Sequence, residues 1–207
     1  MRSRNLLACI SSLVALVGGA INLAVLVVTP VLRPDLNLLE KSLSYYAVGP
    51  WGVVQAVAFA TLGISSMALA VSLAVITIKL QWVWLIVLLL TVSGIGSLGL
   101  VWYPIDAPGP TTILGDAHQT TGTIGGVAQL ASALAFTLAI RVDPAWGDLF
   151  RPALGMFLLA LMGAVLSQVS IWWSHLGIPM GATMRLLVVP LVILWGIVAL
   201  RLRRMCS

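Results

Sequence analysis

Six long apolar segments, separated by short polar stretches, make up most of this chain. A hydrocarbon core about 30 Å thick needs roughly 20 apolar residues in a helix that rises 1.5 Å per residue. Six segments satisfy this requirement, at residues 6–28, 53–78, 82–102, 117–140, 153–173 and 182–200. The pattern predicts an all-α fold, a six-transmembrane-helix bundle that forms a single integral membrane domain over residues 1–207.

The composition is that of a protein whose solvent is lipid. Hydrophobic residues make up 60% of the 207 residues and charged residues only 8%, whereas soluble domains carry about 25% charged residues. The net charge of +5 is spread thinly over the loops without a basic patch or interleaved aromatic residues. This distribution argues against nucleic acid as a partner and favours membrane lipids with anionic headgroups.

The distribution of Lys and Arg predicts the orientation of the helices. Eight basic residues fall on the side of the termini (Arg2, Arg4, Lys79, Arg141, Arg151, Arg201, Arg203 and Arg204), and three fall on the other side (Arg33, Lys41 and Arg185). Because cytoplasmic loops carry the excess of positive charge, both termini are expected in the cytoplasm. The first apolar segment lacks a convincing cleavage site and is expected to remain as a signal anchor. The preference for Arg over Lys is typical of GC-rich bacteria, which favours a bacterial cytoplasmic (inner) membrane.

The first outer loop, residues 29–52, is expected to contain a short helix lying in the membrane interface. Asp35 follows a proline and can cap a helix, and Leu36, Leu39, Leu43 and Tyr46 then recur at helical spacing. An apolar stripe of this kind favours a helix parallel to the membrane surface.

Other short patterns are interpreted as structural. Gly94–Gly99 lies inside an apolar span with no strand before it, which indicates helix packing and not a dinucleotide-binding turn. The stretch Arg141–Trp146 predicts a capped turn that carries an interfacial tryptophan. Cys9 and Cys206 form neither a disulfide framework nor a metal motif. No metal site and no cofactor are expected.

Ionisable residues at membrane depth often mark a functional site, and in this chain they gather near the outer ends of the spans. Asp116 to Gln119 reads as a capping box that begins the fourth span. Asp106 lies between prolines and either binds its own loop or is directed toward the bundle. His118 shares a helix face with Gly122, Gln129 and Ser132, which indicates close helix packing or a polar crevice.

Two catalytic interpretations use these residues. A metal site could draw on His118, His175, Asp106 and Asp116, although no metal-ligand spacing supports it. A nucleophilic site could use Ser42 or Ser44, activated by a histidine that Asp106 orients, although no G-x-S-x-G elbow is present. The non-functional interpretation of His175 is a surface imidazole between aromatic residues.

Four stretches resemble a bacterial and archaeal family of multi-pass membrane proteins, domain of unknown function 998, which is distantly similar to eukaryotic DRAM- and Sfk-type proteins. The matching stretches are Leu43–Gly52, Tyr103–Asp106, Gly115–His118 and Gly181–Leu186, the last followed by Trp195. The resemblance implies a six-helix bundle and selects Ser44, Asp106, His118 and Arg185 as site candidates. His175 lies outside the matched motifs.

The leading functional hypothesis is an outward-facing polar crevice that binds a lipid or other amphiphile. The protein would then act alone, as a homo-oligomer, or as an accessory subunit beside another membrane protein. The candidate ligand-binding residues are Ser44, Asp106, His118, Arg185, Asp116, His175 and Gln129, and no catalytic residue is assigned. Arg185 is expected to pair with Asp106 or to bind a lipid phosphate.

Two alternatives remain open. One is a hydrolase or transferase that acts on lipids in the outer leaflet. The other is a small transporter, because Gly18–Leu23 resembles Gly125–Leu130 and indicates an inverted repeat.

Overall fold

Six α-helices dominate the computed structural model, which describes residues 2–77, 79–106 and 110–206. They are α1 (Arg2–Leu32), α2 (Gly52–Ile76), α3 (Val83–Trp102), α4 (Ile113–Ile140), α5 (Phe150–Trp172) and α6 (Met180–Cys206). Each contains a segment long and apolar enough to cross a membrane. The described residues contain no β-strand. The predicted six-helix, all-α fold is confirmed.

The helices pack as a ring in chain order that closes where α6 meets α1. The contacts of α1 with α2, α2 with α3, α3 with α4, and α5 with α6 are extensive, and α6 also touches α2 and α4. The bundle therefore has two ends. Among the described residues, the loop end consists of residues 33–51, 103–106, 110–112 and 173–179. The terminal end consists of the start of α1 and the end of α6 with residues 77, 79–82 and 141–149.

Glycines allow α2, α3 and α4 to approach closely. A Cβ atom on Gly96 would lie 2.7 Å from the Cα of Gly125, and a Cβ atom on Gly94 would lie 2.8 Å from the carbonyl oxygen of Gly63. No side chain fits at either crossing, so helix backbones meet there directly. The prediction that Gly94–Gly99 serves helix packing is confirmed.

Aromatic residues fill the half of the bundle near the terminal end. Phe136 of α4 packs edge-on against Trp146, with ring centroids 5.7 Å apart, and tilts toward Trp195 of α6 at 5.5 Å. Trp146 is only 2% exposed, so the prediction of an interfacial tryptophan is wrong. The turn that carries it is capped as predicted, because the Asp143 carboxylate accepts the backbone N–H of Ala145 at 2.8 Å.

The first loop differs from its prediction. Residues 33–42 form turns, and the helix is a single 3-10 segment, Leu43–Ala47, with Ser42 at its N-cap. Asp35 does not cap a helix, because both of its carboxylate oxygens accept hydrogen bonds from Arg33, at 2.9 and 2.8 Å. The predicted helix therefore begins later and is shorter. Its position in the membrane interface stays a prediction.

Cys9 and Cys206 form a disulfide that joins the start of α1 to the end of α6, with Cα atoms 5.7 Å apart. The expectation that these cysteines form no disulfide is wrong, because ring closure brings together residues separated by 197 positions. Disulfides persist mainly in oxidising compartments, whereas the count of Lys and Arg places this end in the cytoplasm. The two signals point to opposite sides of the membrane, and labelling separates them.

We expect the loop end to face outward. In a chain carrying Cys9→Ser and Cys206→Ser, a cysteine introduced by Thr111→Cys should react with a membrane-impermeant maleimide on intact cells. A cysteine introduced by Gly147→Cys should react only after permeabilisation. The reverse pattern would place the terminal end outside, as the disulfide suggests, and reaction of both positions on intact cells would contradict six spans.

The surface of α3 should contact lipid at Leu88, which is 59% exposed, whereas Leu90 two residues later is fully buried. Leu88→Arg places a charge near mid-membrane at a cost of about 2.5–3.5 kcal/mol on insertion scales. The fraction of chains with α3 inserted, measured with glycosylation reporters on both sides of the helix, should fall. Leu88→Ala is the control, and normal insertion of the Arg variant would contradict this placement.

Candidate functional site

Ser44 lies at the loop end on the 3-10 segment Leu43–Ala47. The segment is held from two sides, because Tyr46 is almost fully buried at 1% exposure and the Arg33 guanidinium donates to the carbonyl of Val48. Gly49 and Trp51 then adopt positive φ angles of 77° and 68°, which turn the chain into α2. Ser44 itself stays partly exposed.

His118 approaches Ser44 from α4. It lies five residues after Ile113, about 7 to 8 Å along the helix. It is 3% exposed, and the ring of Phe59 on α2 meets the imidazole edge-on with centroids 6.4 Å apart. The imidazole Nδ1 lies 2.6 Å from the carbonyl oxygen of Tyr103, and Nε2 lies 2.8 Å from the hydroxyl oxygen of Ser44.

These two contacts select one tautomer of the neutral imidazole. A carbonyl oxygen can only accept, so Nδ1 carries the hydrogen and donates it to Tyr103. The lone pair of Nε2 then accepts the Ser44 hydroxyl proton. This tautomer is assigned from the hydrogen-bond network. A serine hydroxyl that is hydrogen-bonded to an oriented imidazole has the arrangement of a nucleophile beside its general base.

Asp106 is bound by its own loop. Its carboxylate accepts the backbone N–H of Thr112 at 2.8 Å and the Thr112 hydroxyl at 2.7 Å. The Thr112 amide, followed by the hydroxyl and a smaller attraction from His118, lowers the pKa of Asp106 below its usual value. The carboxylate fills the space where a Gly115 side chain would lie. The alternative in which Asp106 binds its own loop is therefore confirmed.

Asp106 neither orients His118, as the nucleophilic interpretation requires, nor pairs with Arg185. Both ring nitrogens of His118 are occupied by Tyr103 and Ser44, so Asp106 does not orient the imidazole. Arg185 does not pair with Asp106 either, because Nη1 donates to the carbonyls of Leu38 at 2.7 Å and Gly181 at 2.9 Å. Its guanidinium lies 5.6 Å from the ring centre of Tyr46.

The other candidates do not join the Ser44–His118 pair. Asp116 is exposed, and the predicted capping box is wrong because α4 begins at Ile113 with Thr112 as its N-cap, accepting from Gly115 N–H at 3.1 Å. His175 is exposed on the short helix Ser174–Leu176. Among the described residues, no group of three His, Cys, Asp or Glu side chains could hold a metal ion. The four residues considered as metal ligands therefore do not assemble.

Gln129 lies deep inside the bundle, eleven residues after His118 and about 16 Å further along α4. Its carbonyl oxygen accepts hydrogen bonds from Ser66 of α2, at 3.3 Å, and from Ser93 of α3. Gly125, between His118 and Gln129, packs against Gly96 of α3. The packing interpretation of this helix face therefore holds at Gly125, and Gln129 links three helices.

Sequence reasoning missed the carbonyl of Tyr103 as the partner of His118. Every residue carries a carbonyl group, so nothing in the sequence marks this one. The cap at Thr112 had a usable signal, because a threonine directly before an apolar run is a common N-cap.

Comparison with known proteins identifies the family of the chain. The family model described as protein of unknown function (DUF998) matches residues 16–201, and the chain belongs to that family. No curated protein and no solved structure matches the chain.

The lowered pKa of Asp106 predicts a pH-dependent contribution to stability. A depressed folded-state pKa gives stabilisation that is present above the unfolded pKa, about 3.9, and lost as the pH falls through the folded pKa. Asp106→Asn should lower the melting temperature at pH 7, and its difference from wild type should shrink below about pH 4. Asp116→Asn, which removes an exposed carboxylate from the first turn of α4, is the control. A pH-independent difference for Asp106→Asn would contradict the assignment.

Proposed function

We propose that this DUF998 protein is a lipid hydrolase or acyltransferase that acts on the membrane leaflet at its loop end, with Ser44 as nucleophile and His118 as general base. The observation that carries the proposal is the 2.8 Å contact of Ser44 Oγ with His118 Nε2, in an imidazole whose Nδ1 is fixed by the Tyr103 carbonyl. Ser44 is partly exposed and lies at the loop end, where the spans end. The ester bonds of lipids lie at the corresponding depth, between headgroups and hydrocarbon.

The proposed reaction has two steps. Ser44 Oγ attacks the carbonyl carbon of a lipid ester while His118 Nε2 takes the hydroxyl proton. The tetrahedral intermediate collapses, the bond to the leaving alcohol breaks, and the imidazolium returns the proton to the leaving oxygen. Water or an acceptor hydroxyl then attacks the acyl group on Ser44 with Nε2 as base, and Ser44 recovers its proton as it leaves.

The Tyr103 carbonyl takes the place that a carboxylate holds in a Ser-His-Asp triad. It keeps the imidazole in the required tautomer but contributes no full negative charge, so hydrogen bonding stabilises the imidazolium less than a carboxylate would. The expected catalysis is slower than that of a full triad.

Binding of an amphiphile without chemistry is the second candidate function. The observation that favours it is the guanidinium of Arg185, whose Nε and Nη2 atoms have no partner. In this alternative the Ser44–His118 contact only ties the first loop to α4. The two candidates are separated by the reactivity of Ser44.

We expect a fluorophosphonate probe to form a covalent bond with Ser44 of the detergent-solubilised protein, detected by intact mass and located by peptide mapping. Ser44→Ala should abolish labelling, and His118→Gln should slow it by about 100-fold or more, the usual contribution of a general base. Ser42→Ala is the matched control, since this buried neighbour makes no contact with the imidazole among those described.

The variants must remain folded for this comparison, which gel filtration and the melting temperature check. Equal labelling of wild type and a folded His118→Gln variant would contradict general-base activation. An absence of labelling in wild type, together with a lipid retained in native mass spectrometry, would favour the binding candidate.

A further inference from the structure

Only one nitrogen of the Arg185 guanidinium, Nη1, has hydrogen-bond partners among the described residues. Nη1 donates to the carbonyls of Leu38 and Gly181, whereas Nε and Nη2 are buried without a hydrogen-bond partner. The Tyr46 hydroxyl lies close enough to interact with the guanidinium, but its geometry does not satisfy Nε or Nη2 as a hydrogen bond. Leaving two buried N–H groups unpaired is costly, so an acceptor on this edge, and most favourably an anion, would stabilise the structure.

Arg33 illustrates what such an edge binds. Its Nε and Nη2 hold the two oxygens of the Asp35 carboxylate at 2.9 and 2.8 Å. The same pair of nitrogens is vacant in Arg185. Planar guanidinium edges bind carboxylates and phosphates through two parallel hydrogen bonds, so the vacant edge has the geometry for an oxyanion with two accessible oxygens.

No carboxylate of the described chain supplies that anion. At the loop end, Asp35 pairs with Arg33 and Asp106 is bound by Thr112. Glu40 and Asp116 are exposed. Arg33–Asp35 and Arg201–Asp148 are ion pairs among the described residues, and neither includes Arg185. An anion bound to this edge would therefore come from outside these residues.

The position of Arg185 relates it to the proposed site. Its guanidinium lies against Tyr46, which follows Ser44 by two residues on the same 3-10 segment. Arg185 also lies in the second turn of α6, at the loop end. Lipid phosphates are the abundant anions at the ends of membrane spans. We infer that the vacant edge of Arg185 binds a phosphate group, supplied by the headgroup of an anionic phospholipid that is the substrate of the Ser44–His118 site.

The segment that covers Arg185 must move for this binding. The carbonyls of Leu38, Leu39 and Lys41 lie over Gly181, where any side chain would collide with them. The backbone N–H of Ala182 donates to Leu39 at 2.9 Å. Residues 38–41 therefore close over the start of α6, and a headgroup that reaches Nε and Nη2 takes the place of part of this cover.

The statement that the lipid is a substrate rests on the proposed function. Binding of the lipid tests the phosphate site separately. The delipidated full-length protein in detergent is titrated with phosphatidylglycerol, with dioleoylglycerol, which lacks the phosphate, and with inorganic phosphate. Binding is detected by native mass spectrometry, and each titration gives a dissociation constant. The variants are Arg185→Lys and Arg185→Gln, with Lys41→Gln as the control that removes a cation of the first loop.

We expect phosphatidylglycerol to bind wild type and Lys41→Gln equally, and to bind Arg185→Gln at least about tenfold more weakly. Arg185→Lys keeps the charge but lacks the paired nitrogens, and it should also lose affinity. This variant keeps the test valid if Arg185→Gln does not fold. Dioleoylglycerol should bind weakly and without dependence on Arg185.

Equal affinity of folded Arg185→Lys and wild type for phosphatidylglycerol would overturn the inference. Arg185-dependent binding of inorganic phosphate as tight as that of phosphatidylglycerol would overturn the lipid as its source. Fluorophosphonate labelling of wild type reports the proposed function independently. If Ser44 does not react but phosphatidylglycerol binding depends on Arg185, the phosphate site stands and the enzymatic proposal fails.

Discussion

The loop end depends on one constraint, which is that carbonyl groups of irregular backbone near a membrane need hydrogen-bond donors. Side chains 15 to 147 positions away along the chain supply them. Arg33 donates to Val48, His118 donates to Tyr103, and Arg185 donates to Leu38. These bonds fix the first two connections of the loop end to each other and to the helices. They also decide which part of each donor remains available for other chemistry.

The candidate site is formed by the nitrogen atoms of these donors that do not bind loop carbonyls. When His118 gives its Nδ1 hydrogen to Tyr103, its Nε2 lone pair faces Ser44. When Arg185 gives Nη1 to Leu38 and Gly181, its Nε and Nη2 edge has no partner. The same interactions that stabilise the loops therefore leave a base beside a hydroxyl and a cation without a counter-charge. This combination supports an anionic lipid ester as the substrate class.

Hydropathy was sufficient to predict the six helices, because each span must satisfy the same length and polarity. It could not predict the first loop, where Leu43 and Tyr46 are buried as their spacing suggests but residues 33–42 form turns. Some of the partners that hold this loop come from α6, such as Arg185, which donates to Leu38 from 147 positions away. Asp106 binds Thr112 and extends the start of α4 by one turn before the predicted cap. Ser44 and His118 were identified as candidates, but their pairing depends on the position of one backbone carbonyl.

The central claim is that the Ser44 hydroxyl donates a hydrogen bond to an unprotonated Nε2 of His118. The chain contains only two histidines, so His175→Gln leaves a single imidazole for ¹⁵N NMR of the selectively labelled protein. We predict a neutral imidazole with the hydrogen on Nδ1, and an Nε2 resonance that shifts when Ser44→Ala removes the hydroxyl. A hydrogen bound to Nε2 at neutral pH, with a resonance insensitive to Ser44→Ala, would contradict the account.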